Sequence, residues 1–170
     1  MELPDLSKKE EAKNRLLLEL IKGARRSDRD LARVMKISQP TVTRKRTILE
    51  KEGLIREYTV IPDLEKMGYQ IMAFTFLSFG QPPNPDLIAK AKDWTKKQPS
   101  VIFGADGTGI SMNSVMVSIH KDYASFSKLL TKLREDWQPN LNDTQSFIVC
   151  VNRPELFIKQ FSFRHLGANE

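Results

Sequence analysis

Two patterns that succeed one another along the 170 residues predict an α+β chain. Helix starts and stops crowd the stretch up to Gly53, and beyond Pro62 the order becomes strand, helix, strand, strand, helix, strand. A third observation, positive charge concentrated in the helical stretch, sets the first half apart. The architecture these imply is a winged helix-turn-helix followed by a ferredoxin-like β-α-β-β-α-β domain.

The first helix is expected over Lys8 to Lys22, where Ala12, Leu16, Leu17, Leu20 and Ile21 form one apolar stripe able to brace a helix pair. Two shorter helices come next, about Asp28 to Met35 and about Gln39 to Glu52. Ser27 and Ser38 start them, because a short hydroxyl side chain accepts from amides that a helix's first turn leaves unpaired. Pro40 suits the first turn of the second, and Gly53 closes it in the left-handed conformation. Lys36, Ile37 and Ser38 make the turn, with Ile37 available to plug the core. Leu31, Ala32 and Met35 then face Val42 and Leu49, which leaves Gln39, Thr41, Thr43, Arg44 and Thr47 outward. The alternation in LIREYTVIP predicts an extended strand, at once wing and connector, ended by Pro62.

In the second half the strands are expected at Tyr69 to Phe79, Ser100 to Ala105, Ser114 to His120 and Gln145 to Val151. Helices are expected at Pro85 to Lys97, started by Asn84, and at Tyr123 to Asp136, started by Asp122. Leu87, Ala91 and Trp94, with Phe126, Leu129, Leu130, Leu133 and Trp137, are spaced to cover one sheet face, so these aromatics read as core. Met72, Phe74, Phe76, Val115 and Val117 make the other face too apolar for water and point to subunit contact. The aromatic-rich RPELFIKQFSFRHL is open between a helix, a fifth strand and an arm onto a partner. The expected domains are therefore 1–62, 63–152 and a tail, 153–170.

Between Lys22 and Arg46 nine Lys or Arg stand against Asp28 and Asp30 alone, in a chain of net charge +6. Duplex DNA rewards such a stretch, since neutralising phosphates releases condensed counterions. Placed on a helix-turn-helix, Ser38, Gln39, Thr41, Thr43, Arg44, Lys45, Arg46 and Arg56 are the candidate DNA contacts. Gln39, Thr41 and Thr43 fall near base edges, Arg44 near a base or phosphate, and Lys45, Arg46 and Arg56 on phosphates.

Other classes find less support. No segment approaches the roughly 20 apolar residues of a membrane span, and the charged N-terminus is unlike a signal peptide, so a cytoplasmic protein is expected. The single cysteine, Cys150, cannot form an internal disulfide and reads as a small buried hydrophobe within SFIVCV. No Cys or His cluster has metal-ligand spacing, so no metal or cofactor is expected. Gly104, Gly107 and Gly109 precede neither a helix nor a Lys-Ser/Thr pair, which removes a phosphate cradle and leaves a turn between strands.

The chain resembles the leucine-responsive and asparagine-synthesis (Lrp/AsnC) family of prokaryotic transcription regulators. The resemblance is carried by DLA from Asp30, S-x-x-T-V-x-R from Ser38, L-E-x-E-G-L-I from Leu49 and Y-T-V-I-P-D from Tyr58 into Gly68. It implies double-stranded DNA as partner, a homodimer or higher oligomer formed by sheets packed face to face, and an effector such as an amino acid bound between subunits. In this sequence the effector residues would be Gly104, Asp106, Gly107, Thr108, Gly109 and Met112. Two departures stand out. Arg46 falls where a related recognition helix carries an apolar residue and Ile48 where a polar one is expected, and Asp106 precedes the later glycines instead of following the first by three.

The reading is thus a sequence-specific DNA-binding regulator and not an enzyme. Two alternatives share the plan: a tetrapyrrole (siroheme-type) decarboxylase-like enzyme, and an architectural DNA binder of weak specificity. The enzyme would need His120 or His165, and neither has an acidic or basic partner within its motif, so both read as surface or capping residues.

Overall fold

The computed structural model describes residues 8–81 and 84–167. They divide into two compact units, one of residues up to Ile61 together with those from Lys159 onward, the other of Pro62–Ile158.

In the first unit, α1 (Lys8–Lys22) carries Glu10 and Glu11 in its first turn and Lys22 in its last, each sign placed to suit the helix dipole. Helix α2 (Asp28–Met35) opens with the Ser27 hydroxyl accepting from the Asp30 amide and closes at Lys36, which takes a left-handed φ of 55°. Helix α3 (Gln39–Lys51) opens with the Ser38 hydroxyl accepting from the Thr41 amide, and Gly53 comes after it at φ 73°. Leu16, Leu20, Leu31, Ala32, Met35, Val42 and Leu49 are buried as one core, with Ile37 from the turn and Ile55 packed against it.

The connector corrects the sequence expectation. Residues 56–61 form no strand, because alternation makes a segment fit to pair but a ladder also needs a neighbour, and none of the described residues supplies one. The C-terminal stretch resolves into two short 3-10 turns, Pro154–Leu156 and Phe163–Gly167, and the second packs against α1.

In the second unit the strands β1 (Ile71–Phe79), β2 (Val101–Gly109), β3 (Met112–His120) and β4 (Leu141–Cys150) form an antiparallel sheet in the order β2-β3-β1-β4. Helices α4 (Pro85–Lys96) and α5 (Tyr123–Trp137) start at Asn84 and Asp122, whose side chains accept from the amides of Leu87 and Ser125. Trp94, Leu129, Leu133 and Trp137 pack on Leu77 and Met116, so both helices cover one face. On the other face Met72, Phe74 and Phe76 remain half-buried.

Two side chains depart from expectation. Cys150 is exposed, since it ends the edge strand β4 and none of the described elements is laid over it. His120 is neither surface nor cap: it is 3% exposed, its Nε2 lies 2.9 Å from the Ser118 hydroxyl, and its ring meets Phe126 edge-on. Burial lowers its pKa from the ordinary 6.5, against a smaller opposing pull from Asp122. A histidine kept neutral in the fold contributes stability above pH 6.5, and that contribution is lost as pH falls through its lowered pKa. Thermal denaturation from pH 7.5 to 4.5 should therefore show a loss of stability below about 6.5 that His120→Gln flattens; identical pH profiles for the two proteins would contradict this assignment.

Candidate nucleic-acid interface

Helix α3 has an inner and an outer side because Val42 and Leu49, seven residues apart, both point into the core. Gln39, Pro40, Thr43, Arg44 and Thr47 are exposed on the outer side. At its start Ser38 is occupied by the cap, and its hydroxyl lies 2.7 Å from that of half-buried Thr41. These two therefore shape the helix end, and the side-chain surface offered to a ligand begins at Gln39.

The cations separate into two groups. Arg44, Lys45 and Arg56 have no hydrogen-bond or ion-pair partner among the described residues. Arg44 and Lys45 join Lys13 and Ile48 around a concavity of about 260 Å³. Lys13, which pairs with Glu52, was not singled out in the sequence because it lies on α1, far from the motif. Half-buried Ile48 gains an apolar role there beside the aliphatic stems of these cations.

Arg46 belongs to the second group. Its Nε and Nη2 donate to Oδ1 of Asp28 at 2.8 and 2.6 Å, and Nη1 points to the Tyr58 hydroxyl at 3.4 Å. The Thr43 hydroxyl donates to the other Asp28 oxygen at 2.7 Å, and Tyr58 in turn donates to Glu50. Burial pushes the Asp28 carboxyl up, but hydrogen bonds from Thr43 and Arg46 and the Arg46 charge outweigh it, so the pKa is lowered below 3.8. Burial likewise opposes the Arg46 charge, and Tyr58 and Asp28 more than restore it. The arginine on α3 where an apolar residue is expected is thus explained: it is half-buried on the flank of the helix and has an anion to meet.

The six candidate effector residues fall on the β2–β3 hairpin. Gly104, Asp106, Gly107, Thr108 and Gly109 are exposed along edge strand β2, and Met112 is buried at the start of β3. Asp106 accepts from the Ser114 hydroxyl at 2.8 Å. The turn itself is Ile110-Ser111, both at positive φ, and the glycines lie in the strand. A β-branched residue at φ 47° gives no turn signal in a sequence, whereas neighbouring glycines do.

Residues 10–56 match a family model described as winged helix-turn-helix DNA-binding. An uncharacterized HTH-type transcriptional regulator of Pyrococcus abyssi is 36% identical over 67 residues, 39% of this chain and 45% of that protein. LrpC of Bacillus subtilis is 39% identical over 56 residues, 33% of this chain and 39% of LrpC. The LrpC structure matches with a TM-score of 0.67 at 21% identity, over 85% of this chain and 94% of that one. The fold is that of the Lrp/AsnC regulators. A transcriptional regulator of Neisseria meningitidis, solved as a complex with L-Met, shares this Lrp/AsnC fold with a TM-score of 0.74 at 20% identity, over 95% of this chain and 99% of that one. In sequence, the chain spans less than half the length of the curated relatives it matches.

Proposed function

We propose that this chain is a sequence-specific DNA-binding transcription regulator that acts as a homodimer and responds to a small-molecule effector. The observation that carries the reading is the outer side of α3: exposed Gln39, Arg44 and Thr47 stand beside unpaired Lys45, in a segment matched by a winged helix-turn-helix model. In a dimer two such helices enter successive major grooves, one helical turn apart. Gln39, Arg44 and Thr47 face base edges, while Lys45 and Arg56 meet phosphates. Such a protein works in the cytoplasm, and among the described residues no helix is long and apolar enough to cross a membrane. The Bacillus relative is an HTH-type transcriptional regulator, and of the two histidines an enzyme would need, His120 is buried in the fold.

The effector proposal is supported by the L-Met complex of the Neisseria regulator. Here it places the ligand against the hairpin from Gly104 to Met112, whose exposed edge is open to a neighbouring subunit. Calorimetric titration with a panel of amino acids, L-methionine included, tests it: a saturable heat that Asp106→Ala abolishes is expected, and no heat from any member would remove amino acids as the effector.

The test of the main reading is selection of bound sequences from a random duplex pool at physiological salt. A two-fold-related consensus is expected; recovery without enrichment would favour an architectural binder, and no binding at low ionic strength would end the DNA reading. On the selected duplex, Arg44→Ala should cost about 1 to 3 kcal/mol and relax preference at one base position if the guanidinium pairs with guanine. An equal loss on selected and random duplex would place it on phosphate.

A further inference from the structure

The Asp28 network does something the DNA reading alone does not require. Thr43 and Arg46 lie three residues apart on one flank of α3, and one carboxylate from the first turn of α2 takes the Thr43 hydroxyl on one oxygen and the Arg46 guanidinium on the other. The pair is largely withdrawn from water, with side chains 19% and 20% exposed for Arg46 and Asp28. An anion this close cancels the guanidinium's charge, so Arg46 has no counterion to release on meeting a phosphate. Tyr58 completes the arrangement from the connector: its hydroxyl donates to Glu50 and lies beside Arg46 Nη1, and its ring stands 5.9 Å from the guanidinium carbon. Helix α2, helix α3 and the connector are thereby fastened at one point, on the flank of α3 next to its outer side.

We propose that Asp28 is a positioning residue that sets sequence discrimination: by holding Thr43 and Arg46 it keeps a mobile cation off the duplex and fixes the angle at which α3 presents Gln39, Arg44 and Thr47 to base edges. The proposal rests on the DNA-reader function and adds what governs its specificity. A cation free to seek any phosphate strengthens binding to every sequence alike, whereas rigid bidentate contacts reward only the right one. Asp28 therefore exchanges affinity for discrimination. It is well placed to do so, since a carboxylate in the first turn of α2 also suits that helix's dipole.

The test compares full-length wild type, Asp28→Asn and Arg46→Met on the selected duplex and on random duplex over a range of salt concentrations. Asp28→Asn frees Arg46, so its affinity for random duplex should become steeper in salt by about 0.9 in the log-log slope, the share of one released cation. Its preference for selected over random duplex should fall by about 10-fold or more. Arg46→Met should keep the wild-type slope on random duplex and lose preference, because the arginine it removes was not on a phosphate. A slope shallower by about 0.9 in Arg46→Met would put the arginine on DNA and overturn the proposal. So would an unchanged slope with unchanged preference in Asp28→Asn. If Asp28→Asn fails to fold, as judged by circular dichroism, Arg46→Met decides the matter alone, since a methionine can occupy the same half-buried position. Failure of the wild type to prefer any duplex would overturn the reader itself, whereas a wild type with clear preference and variants that break the stated pattern would overturn only the role of Asp28.

Discussion

Phe147→Glu is expected to leave each subunit folded while separating the proposed dimer and weakening its grip on a two-half-site duplex by about 10²- to 10⁴-fold, the gain that linked binding sites supply. The open face of the sheet is the reason. The register aligns Phe103, Val117, Phe74 and Phe147 in one row across all four strands, and Ala105, Val115 and Phe76 in the next. Helices α4 and α5 lie on the opposite face, so among the described residues no element of the second unit covers this row, and Phe147 is 66% exposed and Phe103 54% exposed. A two-fold axis would lay this row on its own copy, and a carboxylate placed there becomes a buried charge without a partner. In the free subunit the same substitution sits on the surface and should alter stability by no more than about 0.5 kcal/mol. Light scattering coupled to chromatography reads the mass, and binding to a duplex with a single half-site should be unchanged. A Phe147→Glu protein that remains dimeric would show that subunits meet elsewhere.

The sequence was most readable where a single side chain acts on its own neighbourhood. Ser27, Ser38, Asn84 and Asp122 each accept the amide that a cap must, and the place of each before an apolar period marks it as a cap. Leu87, Ala91, Trp94, Leu129, Leu133 and Trp137 pack as their spacing implies. What was not legible depends on residues far apart. Alternation in residues 54–62 described a segment able to pair and was silent on whether a neighbour exists. Cys150 reads as core from SFIVCV, yet exposure depends on β4 being an edge strand, which is a property of topology. At a strand end just before a helix His120 reads as a surface or capping residue, and it is buried because Phe126, one turn into α5, packs edge-on against it. Arg46 marks the boundary between the two kinds of signal. Its spacing, four after Val42 and three before Leu49, puts it beside the buried stripe, which is why it falls where an apolar residue is expected. Its partner Asp28, 18 residues away on another helix, is not legible in that spacing.

Leu49→Ala should lower the stability of the first unit by about 2 to 5 kcal/mol, the range for deleting a fully buried leucine side chain when the cavity it leaves cannot collapse. Leu49 has no exposed surface, sits on the last buried turn of α3, and its carbonyl accepts from the Ile55 amide as the chain leaves the helix. The core it belongs to is small, with only Leu16, Leu20, Leu31, Ala32, Met35 and Val42 as buried companions among the described residues, so few neighbours can move in to fill the space. For a domain of this size each kcal/mol is worth roughly 4 to 8 °C, which puts the loss in melting temperature at about 10 °C or more. Leu133→Ala removes an equally buried leucine from the other unit, where it packs with Trp94 and Trp137. Because the two cores share no residue, the deletions should act independently, each lowering its own calorimetric transition. At a temperature where Leu49→Ala remains folded, its affinity for duplex should match wild type, since the side chain faces away from Gln39, Arg44 and Thr47. A loss of binding under those conditions would mean that the packing beneath α3 tunes the reading surface directly, and a single shared transition lowered by both variants would show that the two units unfold as one.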